Sequence, residues 1–147
     1  MFKKILATQN NYAALVVRLT LGLVMFPHGA QKMLGWFGGY GFTGTMGFFT
    51  GTLGIPAIFA FLAILAEFAG ALGLITGLLS RVAAFGIACV MVVAMFTGHL
   101  ANGFFMNWFA NQPGEGVEYH LLALGLAIAV MIQGAGAFSI DRKLSEK

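Results

Sequence analysis

Four apolar blocks, separated by short polar or glycine-rich breaks, occupy most of the 147 residues. Crossing a bilayer core takes about 20 apolar residues at about 1.5 Å of rise each. The blocks run from Tyr12 to about Met33, Ile55 to about Leu79, Arg81 to about Ala101, and Glu118 to about Gly134. They predict an all-α polytopic membrane protein, a four-transmembrane-helix bundle in a single domain over residues 1–147.

Composition points the same way. The chain is 59% hydrophobic and 9% charged, with a mean hydropathy of +0.88, whereas a soluble domain carries roughly 25% charged residues. The net charge of +3 does not indicate nucleic acid, because the basic residues sit between apolar blocks and not in a patch interleaved with aromatics. Lys3, Lys4, Arg81, Arg142, Lys143 and Lys147 flank one set of span ends, and Lys32 alone flanks the other. The positive-inside rule then places both termini in the cytoplasm. The first block imitates a secretory signal peptide, but Arg18 interrupts it and no A-x-A-like site follows, so it reads as a retained first span. Cys89 is the single cysteine and lies inside GIACVMVV, which leaves it a packing role and excludes an intramolecular disulfide.

Spans two and three are joined by little more than Ser80 and Arg81, which requires a tight hairpin. The two outer loops, about 34–54 and 102–117, are long and aromatic, with Trp36, Phe37, Tyr40, Phe48, Phe49, Phe104, Phe105 and Trp108 among them. Aromatics at that level form an interfacial belt. The first loop is too rich in glycine for a stable isolated helix and too apolar for a free linker, so it is expected to cap the bundle at the outer interface. Span two carries Ala66, Gly70, Gly73 and Gly77 at helical spacing, a row of small residues that lets helix backbones approach closely in lipid.

Ionisable residues at membrane depth are costly and therefore functional candidates. This chain has Arg18, His28, Lys32, Glu67, His99, Glu118 and His120. Counting residues at about 1.5 Å each puts Arg18 roughly 9 Å past Tyr12, His28 roughly 24 Å along the same span, and His99 roughly 27 Å along span three. Glu67 falls midway along span two, and Glu118 and His120 begin span four at its outer end. Side chains lean toward their own helix N-terminus, so His28, Lys32 and His99 lean down toward the bilayer centre while Glu67 leans up. Arg18 leans the other way, which favours snorkelling to the cytoplasmic interface over a pair with Glu67. Arg18, Met25, His28 and Lys32 share one stripe of span one. Pro27 should kink that helix and free the Leu23 carbonyl, and Gly29 permits close approach.

This set supports more than one chemistry. Metal or bis-histidine haem ligation would have to bridge helices, since no histidine pair has the spacing of a zinc helix. A quinone pocket needs hydrogen-bonding groups for each carbonyl, proton-exchanging side chains and aromatic walls, and histidine and carboxylate meet the first two needs. The polar groups would alternatively do no more than hold the helices in register. No phosphate loop, nucleotide fingerprint or nucleophile elbow is present to support autonomous catalysis.

The ordered set of Arg18, His28-Gly29-x-Gln31-Lys32, Glu67, GLLSR (77–81), His99 followed by NGFF (102–105), and EGVEYH (115–120) resembles the DoxX family of small bacterial membrane proteins. The similarity spans roughly residues 12–140. It implies a four-helix, multi-pass protein of the bacterial inner membrane linked to respiratory or stress-related redox chemistry, as in thiosulfate:quinone oxidoreductase or in tolerance of quinones and catechols. The resulting expectation is a membrane subunit that binds a quinone or similar redox partner in an outer-facing pocket. Glu67, His28 and His99 are the proton-exchanging candidates, and Lys32, Glu118 and His120 the ligand-binding ones, with Trp36 or Trp108 flanking the ring. Arg18, Pro27, Gly29 and Arg81 are structural. The cofactor is left open, with quinone ranked ahead of haem or a metal, and no metal ligand is assigned. The lipid bilayer is the expected partner, while a redox partner protein and a homo-oligomer stay open. A small permease and a non-catalytic assembly subunit of an oxidoreductase complex are the competing readings.

Overall fold

The computed structural model describes residues 5–146, so Lys3, Lys4 and Lys147 lie outside the described residues. Among those described, all regular structure is helical. Helix α1 (Tyr12–Leu34) starts at Asn11, whose side chain accepts from the amides of Ala13 at 2.8 Å and Ala14 at 3.2 Å, satisfying donors that the first turn leaves unpaired. It runs unbroken through Pro27 and stops at Gly35, in the left-handed conformation that glycine adopts freely.

A single turn, Trp36–Gly38, then leads to a short helix α2 (Gly41–Gly47) and a wider π-type turn, Phe48–Thr52. Glycine content argues against such a helix in isolation. Here it is packed on α1 and α3, with Thr45 buried beneath it, and packing supplies what propensity lacks.

Helix α3 (Ala57–Thr76) ends at left-handed Gly77 and α4 (Ser80–Ala94) begins three residues later. Left-handed Gly77 (φ 72°) lets the chain reverse, and its missing side chain lets the later segment around Ser139 pack on the hairpin, since a Cβ there would lie 2.5 Å from that of Ser139. Helix α4 continues through a π-type turn, Met95–His99, and a final turn, Leu100–Asn102. Helix α5 (Glu118–Gln133) and a short surface helix α6 (Ile140–Ser145) complete the chain. Helices α1 and α3 and the continuous segment Ser80–Asn102 are long and apolar enough to cross a membrane, and α5 is a shorter apolar helix.

The four long helices form a ring in the order α1, α3, α4, α5, with the main contacts between neighbours. Glycines set the closest approaches: a Cβ on Gly22 would meet Leu74 and Ile75 at about 3.0 to 3.1 Å, and one on Gly29 would meet the Phe68 backbone at 2.6 Å. The small-residue row on α3 serves the α4 contact instead, with Gly73 against the Leu78 carbonyl and Ala66 beneath Gly86. The core between the helices is built from Leu21, Met25, Leu74, Ile87, Met91, Ala127 and Val130.

One end of the ring carries residues 5–11, the segment 134–146 and the α3–α4 hairpin and is here called the basic end; the opposite, loop end carries residues 35–56 and 103–117. Arg18 is fully buried at the basic end. Its guanidinium donates to the carbonyls of Leu74, Ile75 (3.0 Å), Ala135 (2.7 Å), Ala137 (3.3 Å) and Phe138 (3.4 Å). The expected snorkelling therefore does not occur. The side chain leans toward the basic end as foreseen, but finds carbonyls at the α3 C-terminus and in the segment after α5 before it reaches water, a favourable place for a cation on a helix dipole.

Arg81 does the same for α5, donating to Met131 (2.9 Å) and Ile132 (3.4 Å) and to Ile5 (3.1 Å) and Ala7. Asp141, also buried, accepts from the amides of Leu79 at 2.7 Å and Ser80 at 2.8 Å and so caps α4 from the far end of the chain. This end is closed by backbone-saturated charge.

Candidate functional site

At the loop end the polar groups of α1 meet those of α3 and α5. Gly29 is the residue that permits it, because its missing side chain lets α1 press against the backbone of Glu67 and Phe68. One turn later Lys32 lies over Glu67, Nζ to Oε2 2.6 Å, and its ammonium also donates to the His28 carbonyl at 3.5 Å. The Glu67 side chain is 4% exposed and that of Lys32 25%. The carboxylate is thus held inside the protein while its cation remains partly accessible.

Helix α5 supplies the opposite wall. The His28 and Tyr119 rings lie 5.5 Å apart, and the Tyr119 hydroxyl donates to Met25 Sδ at 3.2 Å. Tyr119 and His120 are 5.5 Å apart and His120 and His99 only 4.1 Å. His99 sits at the end of the π-type turn of α4, a distortion that recurs at functional sites, and its Nδ1 is 2.9 Å from the Glu115 carbonyl. Glu67, Lys32, His28, Tyr119, His120 and His99 therefore follow one another around the inside of the ring.

These groups line one end of a cavity of about 1520 Å³, bounded otherwise by apolar side chains of α3 and α4 and roofed by Phe48 and Phe49. A second cavity of about 260 Å³ lies above it, lined by Gln31, Gly39, Tyr40 and Thr45. Lys32, Phe48 and Phe49 border both. The ammonium stands between a small vestibule under the first loop and the large chamber.

Three residues expected at the pocket are placed elsewhere. Glu118 does not line the chamber; its Oε2 accepts from the Met106 amide at 3.0 Å and pins the second loop to the start of α5. Trp36 is 53% and Trp108 75% exposed, and neither borders either cavity. Their loops project them outward, and the phenylalanines of the Phe48–Thr52 turn occupy the roof position. Tyr119 and Glu115 are the chamber residues that sequence reasoning passed over, although both stand in the quoted EGVEYH segment. Span four already reads as starting at Glu118, which sets Tyr119 one residue from His120 at nearly the same depth; Tyr119 is passed over because only charged residues and histidines are weighed as candidates. Among the described residues, no three His, Cys, Asp or Glu side chains converge as a metal-binding group.

Comparisons with known proteins identify the family. The DoxX family model matches residues 13–100. The chain belongs to the DoxX family. The matched region of this DoxX protein includes α1, α3 and α4 and hence His28, Lys32, Glu67 and His99; Tyr119 and His120 lie beyond it. The protein is also 30% identical over 143 residues to the inner membrane protein YqjF of Escherichia coli (strain K12), a match covering 94% of this chain and 96% of the relative. No solved structure matches. With its apolar helices, this DoxX chain is a multi-pass protein of the bacterial inner membrane.

Proposed function

We propose that this DoxX protein binds a quinone headgroup, or a redox partner of similar size and polarity, in the chamber at the loop end. The observation that carries the reading is the Lys32–Glu67 pair, 2.6 Å apart, set with His28, His99, Tyr119 and His120 into one end of a cavity of about 1520 Å³ that is lined mostly by apolar side chains. The residues fit such a head: Lys32 and the Tyr119 hydroxyl are donors for ring oxygens, His28 and His99 can hold or release a proton, and Phe48, Phe49 and Tyr119 offer aromatic faces. Lys32 would favour negative charge developing on a ring oxygen, and Glu67 would return Lys32 to its resting partner afterwards. Electrons would come from a partner protein. The vestibule bordering Lys32 supplies a path for protons from the loop end. In the proposed orientation that end faces away from the cytoplasm, because Arg81, Arg142 and Lys143 all gather at the basic end.

The test is binding of a benzoquinone to the purified full chain in nanodiscs, together with quinone sensitivity of cells lacking the protein and complemented with variants. Wild type is expected to bind and protect; Glu67→Gln and Lys32→Met are expected to fold, as judged by thermal unfolding, yet bind at least about ten-fold more weakly, the effect of losing a charge-assisted contact. No binding by wild type, with unchanged cell sensitivity in Glu67→Gln, would discard the reading.

A further inference from the structure

The chamber is not a sphere around the polar cluster. Its lining continues from Glu67 to Thr76 on α3 and along α4 from Leu79, nine residues of helix and so about 14 Å beyond the carboxylate toward the basic end. Within that extension the floor is made of small side chains, Ala66, Gly70, Gly73, Ala83 and Gly86, while larger exposed residues such as Leu72, Val82 and Phe85 stand along its rims. A small floor between large rims makes a trough. Its one hydroxyl, on Thr76, is already bonded to the Leu72 carbonyl at 2.9 Å. The trough opens sideways on the exposed faces of two membrane-spanning helices, where lipid lies.

The polar end supplies the second, independent observation. Lys32 keeps a quarter of its side chain accessible over buried Glu67, and His28, Tyr119, His99 and His120 border the same end of the chamber, so a polar head finds donors and acceptors together there. Depth then limits the occupant. Glu67 lies ten residues from the Ala57 end of α3, about 15 Å into the bilayer, where a charged phospholipid headgroup would be far from water. A second copy of the chain would set apolar helix side chains against Lys32 and Glu67.

We infer that the trough holds the single apolar tail of a membrane amphiphile whose small, uncharged polar head sits among Lys32, Glu67, Tyr119 and His120; the ligand is a prenylated quinone or chemically similar tailed molecule that enters laterally from the lipid, and not a water-soluble quinone or catechol. This rests on the reading of the polar end as a quinone site. The tail gains from contact with protein that is packed more densely than fluid hydrocarbon, so the preference shows at equal mole fraction in the bilayer.

The probe is a prenylated benzoquinone carrying a diazirine at the tail tip, photolysed with the full chain in nanodiscs and mapped by mass spectrometry. Labels are expected on 69–76 and 82–89, several-fold above Leu23 and Val24 of α1 or Leu122 and Ile132 of α5, which are exposed outside the trough. Excess untagged prenylquinone is expected to remove them, and Ala69→Phe, a change on the exposed trough wall, to reduce them without lowering the unfolding temperature. Tail labels spread evenly over all exposed faces would overturn the inference even if the ring still bound at the polar end. Equal trough labelling by a diazirine phospholipid, or protection that grows with protein-to-lipid ratio as a second copy would give, would also overturn it. Trough labelling by a tagged prenol as strong as that by the quinone would uphold the trough and remove the quinone head reading.

Discussion

Arg18 and Lys32 lie on the same stripe of α1 and meet opposite surroundings. Arg18 is sealed from solvent and shares its five donors among carbonyls at the ends of two other helices. Lys32 has one carboxylate and one carbonyl for company and stays partly open to two cavities. A planar guanidinium suits a fixed multi-acceptor cage, whereas an ammonium on a flexible stem can leave its partner. The difference teaches that charge inside a membrane bundle is not one signal. At the basic end it closes helix termini, and at the loop end it remains available to a ligand.

That contrast can be broken at its strongest point first. Arg18→Met is expected to cost about 3 kcal/mol or more, because several buried carbonyls lose their donor together; a sharp fall in thermal unfolding temperature in detergent, or loss of folded protein, is the readout. Arg18→Lys is expected to rescue little of it, since one ammonium cannot serve both helix ends. Gly29→Ala comes next, at about 2 kcal/mol by the same measurement, as its Cβ would fall 2.6 Å from the Phe68 backbone. Prying α1 from α3 should also separate Lys32 from Glu67, so this variant is expected to weaken ligand binding as well.

Asp141→Ala is expected to cost about 1 to 2 kcal/mol through the lost α4 cap, with ligand binding unchanged when measured below the unfolding transition. Glu67→Gln should show the reverse pattern, a stability loss smaller than that of Arg18→Met because the amide can still accept from Lys32, whose ammonium is partly accessible, with binding reduced. If it unfolds the protein as Arg18→Met does, the contrast between the ends fails. The smallest effect is expected from Gly47→Ala, where an added Cβ meets nothing within 4 Å, and the unfolding temperature should be unmoved.

Much of the site was legible before any coordinates, for a specific reason. Depth along a helix follows from residue count, so His28, Lys32, Glu67 and His99 could be placed at similar levels by arithmetic, and the Gly29 approach followed from its position beside them. The partners of Arg18 could not be read this way, because they are backbone atoms of residues 74–75 and 135–138, a sequence distance over which no local pattern carries information. Glu118 and Tyr119 show the same limit at closer range. They are adjacent, but a rotation of about 100° per residue sends one to the loop and the other to the chamber. Helix α6 was missed although its start was visible: Ser139 is its N-cap, its hydroxyl accepting from the Arg142 amide at 3.3 Å as a serine at that position commonly does.

The sequence by itself determined the helical class, the apolar spans, and the levels at which charge enters them, because hydropathy and rise per residue are local properties of the chain. Only the tertiary structure decided which charges are saturated and which face a cavity. That outcome depends on helix rotation and on whose backbone lies across the gap, and both are set by packing between residues distant in sequence.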